Sequence, residues 1–150
     1  MALIFPTEGS LLVDGEKINI DNCNSWHQKI SHVPQSIYLI DASIAENIAF
    51  GVPKEQIDHK RVMKAAEKAQ ISDTINSFEF GYDSRVGERG LKLSGGQLQR
   101  IGLARAFYKQ KDVLILDEFH NTITIYDIKT STQGWNKWMK KDENKTQQLL

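Results

Sequence analysis

The sequence predicts an α/β protein, and three stretches carry the prediction. DVLILDE (112–118) contains four consecutive apolar residues followed by two acids, a pattern typical of a parallel strand buried on both faces. DHKRVMKAAEKAQ (58–70) repeats its apolar residues at helical spacing. LSGGQLQRIGLARA (93–106) places a serine and a glycine pair before a basic amphipathic segment, which predicts a helix with a glycine-rich start.

The first forty residues have the pattern of short strands separated by turns. GSLLVDG (9–15) sets an apolar run between glycines, and Asp14-Gly15 followed by EKINI is a hairpin signal. KISHVPQ (29–35) predicts a short strand that Pro34 ends, because proline cannot continue a strand ladder.

From Ser43 the apolar period changes to that of helices. SIAENIAF (43–50) has Ser43 three residues before Glu46, the spacing of a capping box, and it stops at Gly51. The helix over 58–70 puts four apolar side chains on one face: Val62, Ala65, Ala66 and Ala69. A short helix is expected over 72–77, and GYDSRVGERG (81–90) is expected to be a loop.

Composition narrows the possible classes of partner. The 150 residues include 19 Lys and Arg against 19 Asp and Glu, so net charge gives no argument for a nucleic-acid partner, and none is predicted. The single cysteine, Cys23, excludes an internal disulfide, fits a reducing cytosolic compartment and is interpreted as a loop residue. No apolar run reaches the length of a membrane span, so any membrane role requires a partner.

Two motifs suggest phosphate chemistry. In LSGGQ, Ser94 is a candidate N-cap, and the glycines let backbone N–H groups approach an anion at the positive end of a helix. In DVLILDE, Asp117 is placed to hold Mg²⁺ through water and Glu118 to take a proton from an attacking water. Each motif alone also fits an ordinary capped helix or a core strand that meets a polar loop.

The order and spacing of HVPQ, SIAENIAFG, VGERGLKLSGGQLQRIGLARA and DVLILDE resemble the ATP-binding domain of ABC transporters, especially exporters, from about residue 5 to 118. This resemblance implies a partial P-loop NTPase core sheet with an inserted α-helical subdomain. The implied parts are a partial ATPase core with the Q-loop (1–40), a helical subdomain with the signature (41–110), the Walker B strand (111–118) and a divergent tail (119–150).

The resemblance also implies roles for particular residues. The family signature corresponds to Leu93, Ser94, Gly95, Gly96 and Gln97, which would bind, in trans, an ATP held by a different chain. Gln35 corresponds to the Q-loop glutamine, Asp117 to the Walker B aspartate that holds Mg²⁺ together with Gln35, and Glu118 to the catalytic glutamate. The loop that couples to the membrane domain corresponds to Val86, Gly87, Glu88, Arg89 and Gly90.

The implied cofactors are therefore ATP and Mg²⁺. The implied partners are a second ATP-binding domain, arranged head to tail, and the membrane domain of an ABC transporter. The expected location is the cytoplasmic face of the membrane.

The sequence also departs from the family pattern. It has no GxxxxGK[ST] loop, and the stretch after Glu118, FHNTITIYDIKTSTQGWNKW, does not match the D-loop or the switch histidine. The chain is therefore expected to be truncated at both ends, by a frameshift or a recombined gene end in the case of the tail. The histidines are interpreted as surface residues: His27, His32, His59 and His120.

The tail and the folding of the remnant carry further expectations. Residues 122–128 have a strand pattern, and Trp135 and Trp138 are expected to cover part of an exposed sheet. The strand VLIL is expected to have one open side, which makes the region over 41–110 the most autonomous part.

The favoured function is a fragment of an exporter's ATP-binding domain that does not hydrolyse ATP alone. The alternatives are a chain that donates its signature to a complete ATP-binding partner, and a non-catalytic module that binds a transporter membrane domain.

Overall fold

The computed structural model describes residues 9–10, 12–13, 15–88, 90–118 and 122–127, with backbone alone for 117, 118 and 122–127. Its strands are β1 (Leu12–Val13), β2 (Glu16–Lys17), β3 (Ile30–Val33), β4 (Ala42–Ser43), β5 (Arg85–Val86), β6 (Val113–Glu118) and β7 (Thr122–Asp127). Its α-helices are α1 (Cys23–His27), α2 (Ile44–Ile48), α3 (His59–Lys68), α4 (Ser72–Asn76) and α5 (Gly95–Lys109). Short 3₁₀ turns cover Lys54–Gln56 and Gly81–Asp83.

The N-terminal part is a hairpin followed by a short helix. β1 and β2 pair antiparallel with Val13 opposite Glu16, as the Asp14-Gly15 signal predicts, and Gly15 adopts a φ of 82°. Cys23 begins α1, so its interpretation as a loop residue was wrong. Two asparagines turn the chain into this helix, because the Asn19 side chain accepts from the Asn22 amide at 3.1 Å and the Asn22 side chain accepts from the Asn19 amide at 2.8 Å.

A three-stranded sheet has the order β3-β6-β7. β3 runs parallel to β6, with Ile30 opposite Val113 and Val33 opposite Leu116, which confirms both predicted strands. β7 pairs antiparallel with β6 along all six residues and confirms the strand pattern in the tail. The prediction that β6 has one unpaired edge was therefore wrong. β7, a strand rich in β-branched residues, pairs with the edge of β6 that β3 leaves free.

The helices form a layer that shares one hydrophobic core with the sheet. Residues of α2, α3 and α5 are buried together with Val33 of β3 and Leu114 of β6. The capping box of α2 and the apolar face of α3 are confirmed, and Asp58 caps α3 by accepting from the Arg61 amide at 3.1 Å. The division of the chain at 41 and 110 into separate parts stays a prediction.

The segment 81–90 contains a short strand. Its residues Arg85 and Val86 form β5, which pairs antiparallel with β4, so the prediction of a loop was wrong for this short strand. Gly87 makes the pairing possible, since it has a φ of 108° and a Cβ there would lie 2.9 Å from Asp41 Cα. Arg89, His120, Trp135 and Trp138 lie outside the described residues.

Within the described ranges, none of the helices combines the length and the apolar character needed to cross a membrane.

Candidate functional site

The first turn of α5 is held by a reciprocal cap. Ser94 lies in extended backbone, its Oγ accepts from the Gln97 amide at 3.3 Å, and its own amide donates to Gln97 Oε1 at 2.8 Å. Ser94 is the predicted N-cap, and the structure confirms it. The cap role of Gln97 was missed, although its position three residues after a serine is the sequence signal for a capping box.

The charge at this helix start differs from that at α2. The cap of α2 uses a carboxylate: Glu46 Oε2 accepts from the Ser43 hydroxyl at 2.6 Å and from the Ser43 amide at 3.0 Å. These hydrogen bonds, with the hydroxyl contributing most, lower the pKa of Glu46. The cap of α5 is a neutral amide and its first turn contains no acid. The positive end of a 15-residue helix is thus left without a negative partner from its own first turn, which favours an external anion.

The glycine pair at this helix start faces open space. A Cβ built on Gly95 or Gly96 meets no described atom within 4 Å, and both residues are exposed. As the first two residues of the helix, they have N–H groups with no acceptor in a preceding turn. These two amides and the Ser94 hydroxyl are suited to bind phosphate oxygens, while Leu93 packs against the core and anchors the segment.

α5 connects this anion-accepting start to the edge of the sheet. Gln99 Nε2 donates to the carbonyl of Gln35, two residues beyond the end of β3. Because Val33 lies opposite Leu116 in parallel strands, Gln35 and Asp117 both lie toward the carboxyl ends of these strands, with Asp117 still inside β6. The structure therefore brings Gln35, α5 and the carboxyl end of β6 together. The side chains of Asp117 and Glu118 lie outside the description.

The segment over 86–91 packs tightly against the turn before α2. A Cβ on Gly90 would lie 2.3 Å from the carbonyl oxygen of Arg85, so only glycine fits there. Leu91 donates its amide to the same carbonyl at 2.8 Å. Arg85 Nη2 donates to the Asp41 carbonyl at 3.2 Å and lies 4.0 Å from the Asp41 carboxylate. Of the predicted coupling residues, Val86 is buried and Glu88 is exposed.

Large apolar side chains are exposed at this segment and just after α2. We call Ile40, Phe50 and Leu91 the apolar rim; they are 45%, 48% and 42% exposed. Ile40 adjoins Gly87, Leu91 bridges to Val86, and the Phe50 ring lies 5.1 Å from the guanidinium of Arg105. No periodic pattern in the sequence indicated the rim, because its members come from three separate segments.

The described histidines differ in their exposure to solvent. His32 and His59 are exposed, as expected, and His27 is half-buried. Among the residues whose side chains are described, no group of three His, Cys, Asp or Glu side chains is placed to hold a metal ion.

Comparison with known proteins shows which family the chain resembles. The ABC transporter family model matches residues 1–121. ABC transporter B family member 28 of Arabidopsis thaliana is 39% identical over 135 residues, which cover 90% of this chain and 19% of that protein. The ATP-dependent lipid A-core flippase of Cupriavidus metallidurans is 41% identical over 114 residues, which cover 75% of this chain and 19% of the flippase.

A solved structure shows the same resemblance in three dimensions. A bacterial Atm1-family ABC exporter with ATP bound superposes with a TM-score of 0.64 at 41% identity, covering 75% of this chain and 19% of the exporter chain. The chain belongs to the ABC transporter family and corresponds to part of the ATP-binding domain of its exporters. It spans about a fifth of the length of these relatives, at 19% of each.

Proposed function

We propose that this chain is the part of an ABC exporter's ATP-binding domain that closes over a nucleotide held by another such domain. The observation that carries the proposal is the start of α5, where two exposed glycines and a neutral cap leave amide donors open to an anion. Family membership adds that the anion is ATP, generally accompanied by Mg²⁺. The 150 residues contain no GxxxxGK[ST] loop, so the groups that grip the other side of the phosphates come from outside them.

In this proposal each group at the site has a simple task. The Ser94 Oγ accepts from the Gln97 amide and keeps its own proton to donate to a phosphate oxygen. The amides of Gly95 and Gly96 donate to the same phosphate. Gln35 and Asp117, which lie toward the carboxyl ends of β3 and β6, would hold Mg²⁺ through water, and Glu118 would take a proton from the attacking water. Mg²⁺, when bound, neutralises charge on the phosphates.

The second part of the proposal concerns the membrane domain. The apolar rim and the segment over 86–90 form its docking surface, because Ile40 and Leu91 expose large apolar side chains beside a backbone fixed by tight glycine contacts. Phe50 joins them through Arg105, which it contacts. The chain thereby lies at the cytoplasmic face of the membrane. ATP binding and hydrolysis between two domains are coupled to transport through this surface.

An association assay tests the nucleotide role. The full chain is mixed with the isolated ATP-binding domain of an ABC exporter that carries a GxxxxGK[ST] loop and a glutamine in place of its catalytic glutamate, and complex formation is followed by sedimentation. A complex that requires Mg-ATP and weakens with Ser94→Ala is expected. The proposal is contradicted if the complex forms equally well without ATP, or if Ser94→Ala does not weaken it.

Calorimetric titration of the chain alone supplies the complementary result. Without the groups that clamp the phosphates in cis, Mg-ATP is expected to give no tight binding and no hydrolysis. Tight binding that is lost in Asp117→Asn would show that another segment of the chain replaces the phosphate loop.

The docking surface is tested with detergent-solubilised exporter membrane domain. Ile40→Glu is expected to weaken binding, because it places a charge in an apolar contact. Met63→Glu on α3, at a side chain 48% exposed outside the rim, is the matched control. Equal effects of the two substitutions would contradict the assigned surface. Docking without any ATP-dependent association would instead favour a non-catalytic interaction module.

A further inference from the structure

Asn47 is a buried polar residue that fixes the chain ahead of α2. It is fully buried, at 0% exposure, and belongs to α2. Its side chain accepts from the Ile40 amide at 3.0 Å and donates to the carbonyls of Ile40 at 3.1 Å and Ser43 at 3.0 Å. A single side chain therefore satisfies both backbone groups of Ile40, as a neighbouring strand would do.

Arg105 joins this arrangement to the signature helix. Its Nε donates to the Asn47 carbonyl at 2.7 Å and its Nη2 to the Asn47 Oδ1 at 2.9 Å. The guanidinium also lies under the ring of Phe50. Such forked, charge-assisted contacts hold one geometry better than a single neutral hydrogen bond does. Arg105 thus ties the body of α5 to the start of α2.

The contacts continue from Asn47 to the segment over 86–90. Ile40 is followed by Asp41, which receives the Arg85 guanidinium and packs on Gly87. The next two residues, Ala42 and Ser43, form β4 and pair with β5. One unbroken set of contacts therefore runs from this segment through β4 and Asn47 to Arg105.

We propose that Asn47 and Arg105 are positioning residues that transmit the position of the docking surface to the signature helix. The functional meaning rests on the proposed docking of a membrane domain to that surface. A partner that contacts Phe50 or moves the segment over 86–90 shifts Asn47, and Arg105 carries the shift into α5, whose first turn faces the nucleotide. The link is stiff because its central residue is fully buried and hydrogen-bonded on both sides.

Amide hydrogen exchange on the full chain tests the link without any membrane domain. Two reporter amides lie on the far side of it: Ala42 donates to the Ile40 carbonyl and Leu91 to the Arg85 carbonyl, both at 2.8 Å. Arg105→Lys keeps the charge and loses the fork. We expect exchange at both reporters to accelerate about tenfold, the size of a lost charge-assisted hydrogen bond.

Two further variants make the outcome specific. Arg100→Lys is the matched control: Arg100 lies on the same helix and donates to the Gln70 carbonyl, so the reporters should stay unchanged. Phe50→Leu removes the ring from the guanidinium but spares the hydrogen bonds, and should accelerate the reporters less than Arg105→Lys does. Because Phe50 is on the surface, this variant is expected to fold even where a buried change disrupts the chain.

The link is overturned if Arg105→Lys leaves both reporters within about twofold of the parent, or if all protected amides accelerate equally through general destabilisation. Either result would leave the docking proposal standing. A failure of docking in the binding assay would in turn leave the exchange result unaffected.

Discussion

α5 carries glycine at two places, and the surroundings of the two places differ. A Cβ on Gly102, in the middle of the helix, would lie 2.4 Å from Ile37 Cδ1 and 3.3 Å from Val33 Cγ1. A Cβ on Gly95 or Gly96, at the helix start, would meet nothing described within 4 Å. Gly102 lets the helix approach β3 closely. The pair at the start has no such packing reason, although glycine in a helix costs about 0.5–1 kcal/mol relative to alanine.

This contrast separates a packing requirement from a binding requirement on one helix. Gly102 is explained by atoms of its own chain, whereas Gly95 and Gly96 face open space and are assigned to a phosphate ligand by the proposed function. Substitutions at Gly102 and at the start of α5 test this difference.

Gly102→Val is expected to have the largest effect. The added side chain must displace Ile37 and Val33 in a packed core, which we expect to lower the free energy of unfolding by about 1–3 kcal/mol. Urea denaturation followed by circular dichroism measures it. Gly96→Val is the matched control, since the same side chain there enters open space; equal losses at both sites would contradict the contrast.

Ser94→Ala is expected to lower the free energy of unfolding by about 1 kcal/mol, because the Gln97 amide loses its acceptor. Ser94→Thr, which keeps a hydroxyl, should recover most of it. The midpoint of urea denaturation measures both variants. If alanine costs nothing, the cap does not define the start of α5.

Gly96→Ala is expected to raise the free energy of unfolding by about 0.5 kcal/mol, since alanine favours the helix and the site has room. The same variant should weaken the ATP-dependent association, because a methyl group then stands where a phosphate must approach. A gain in stability with undiminished association would show that the glycine serves neither purpose.

Glu46→Gln gives the smallest effect and compares the two capping boxes. Hydrogen bonds from Ser43 lower the pKa of Glu46 in the folded chain, so its contribution to stability is present above the ordinary carboxyl range. That contribution is lost as the pH falls through the lowered pKa. Urea midpoints of parent and variant should therefore differ at neutral pH and converge in acid. Gln97, the equivalent residue in the capping box of α5, has a neutral side chain. It therefore adds no such pH dependence to the stability of the parent chain.

Local features of the fold were predictable from the sequence. The spacing of Ser43 and Glu46 predicted the start of α2, and the apolar spacing over 58–70 predicted the buried face of α3. The apolar run over 113–116 predicted β6 and its parallel arrangement. These succeed because caps and periodicity act within a few residues.

Features that depend on distant segments were not predictable. β7 pairs with the free edge of β6. A strand pattern in the sequence predicts a strand but does not show which other strand it pairs with. Asn47 and Arg105 are polar residues in helices, and such residues are usually exposed. The position of Asn47 between the apolar residues of IAENIAF was the only local signal that it is buried. The members of the apolar rim come from three separate segments, and no local pattern in the sequence links them.

The most direct test of the central claim is the effect of Gln97→Glu on the Mg-ATP-dependent association. Glutamate is nearly the same size as glutamine and can accept from the Ser94 amide, as Glu46 accepts from Ser43, so the cap and the stability should persist. It places a negative charge beside the amides of Gly95 and Gly96. We predict that the affinity for the ATP-loaded partner domain falls about tenfold or more while the urea midpoint at neutral pH does not fall. An undiminished affinity in the stably folded variant would contradict the account, because the start of α5 would then not be facing a phosphate.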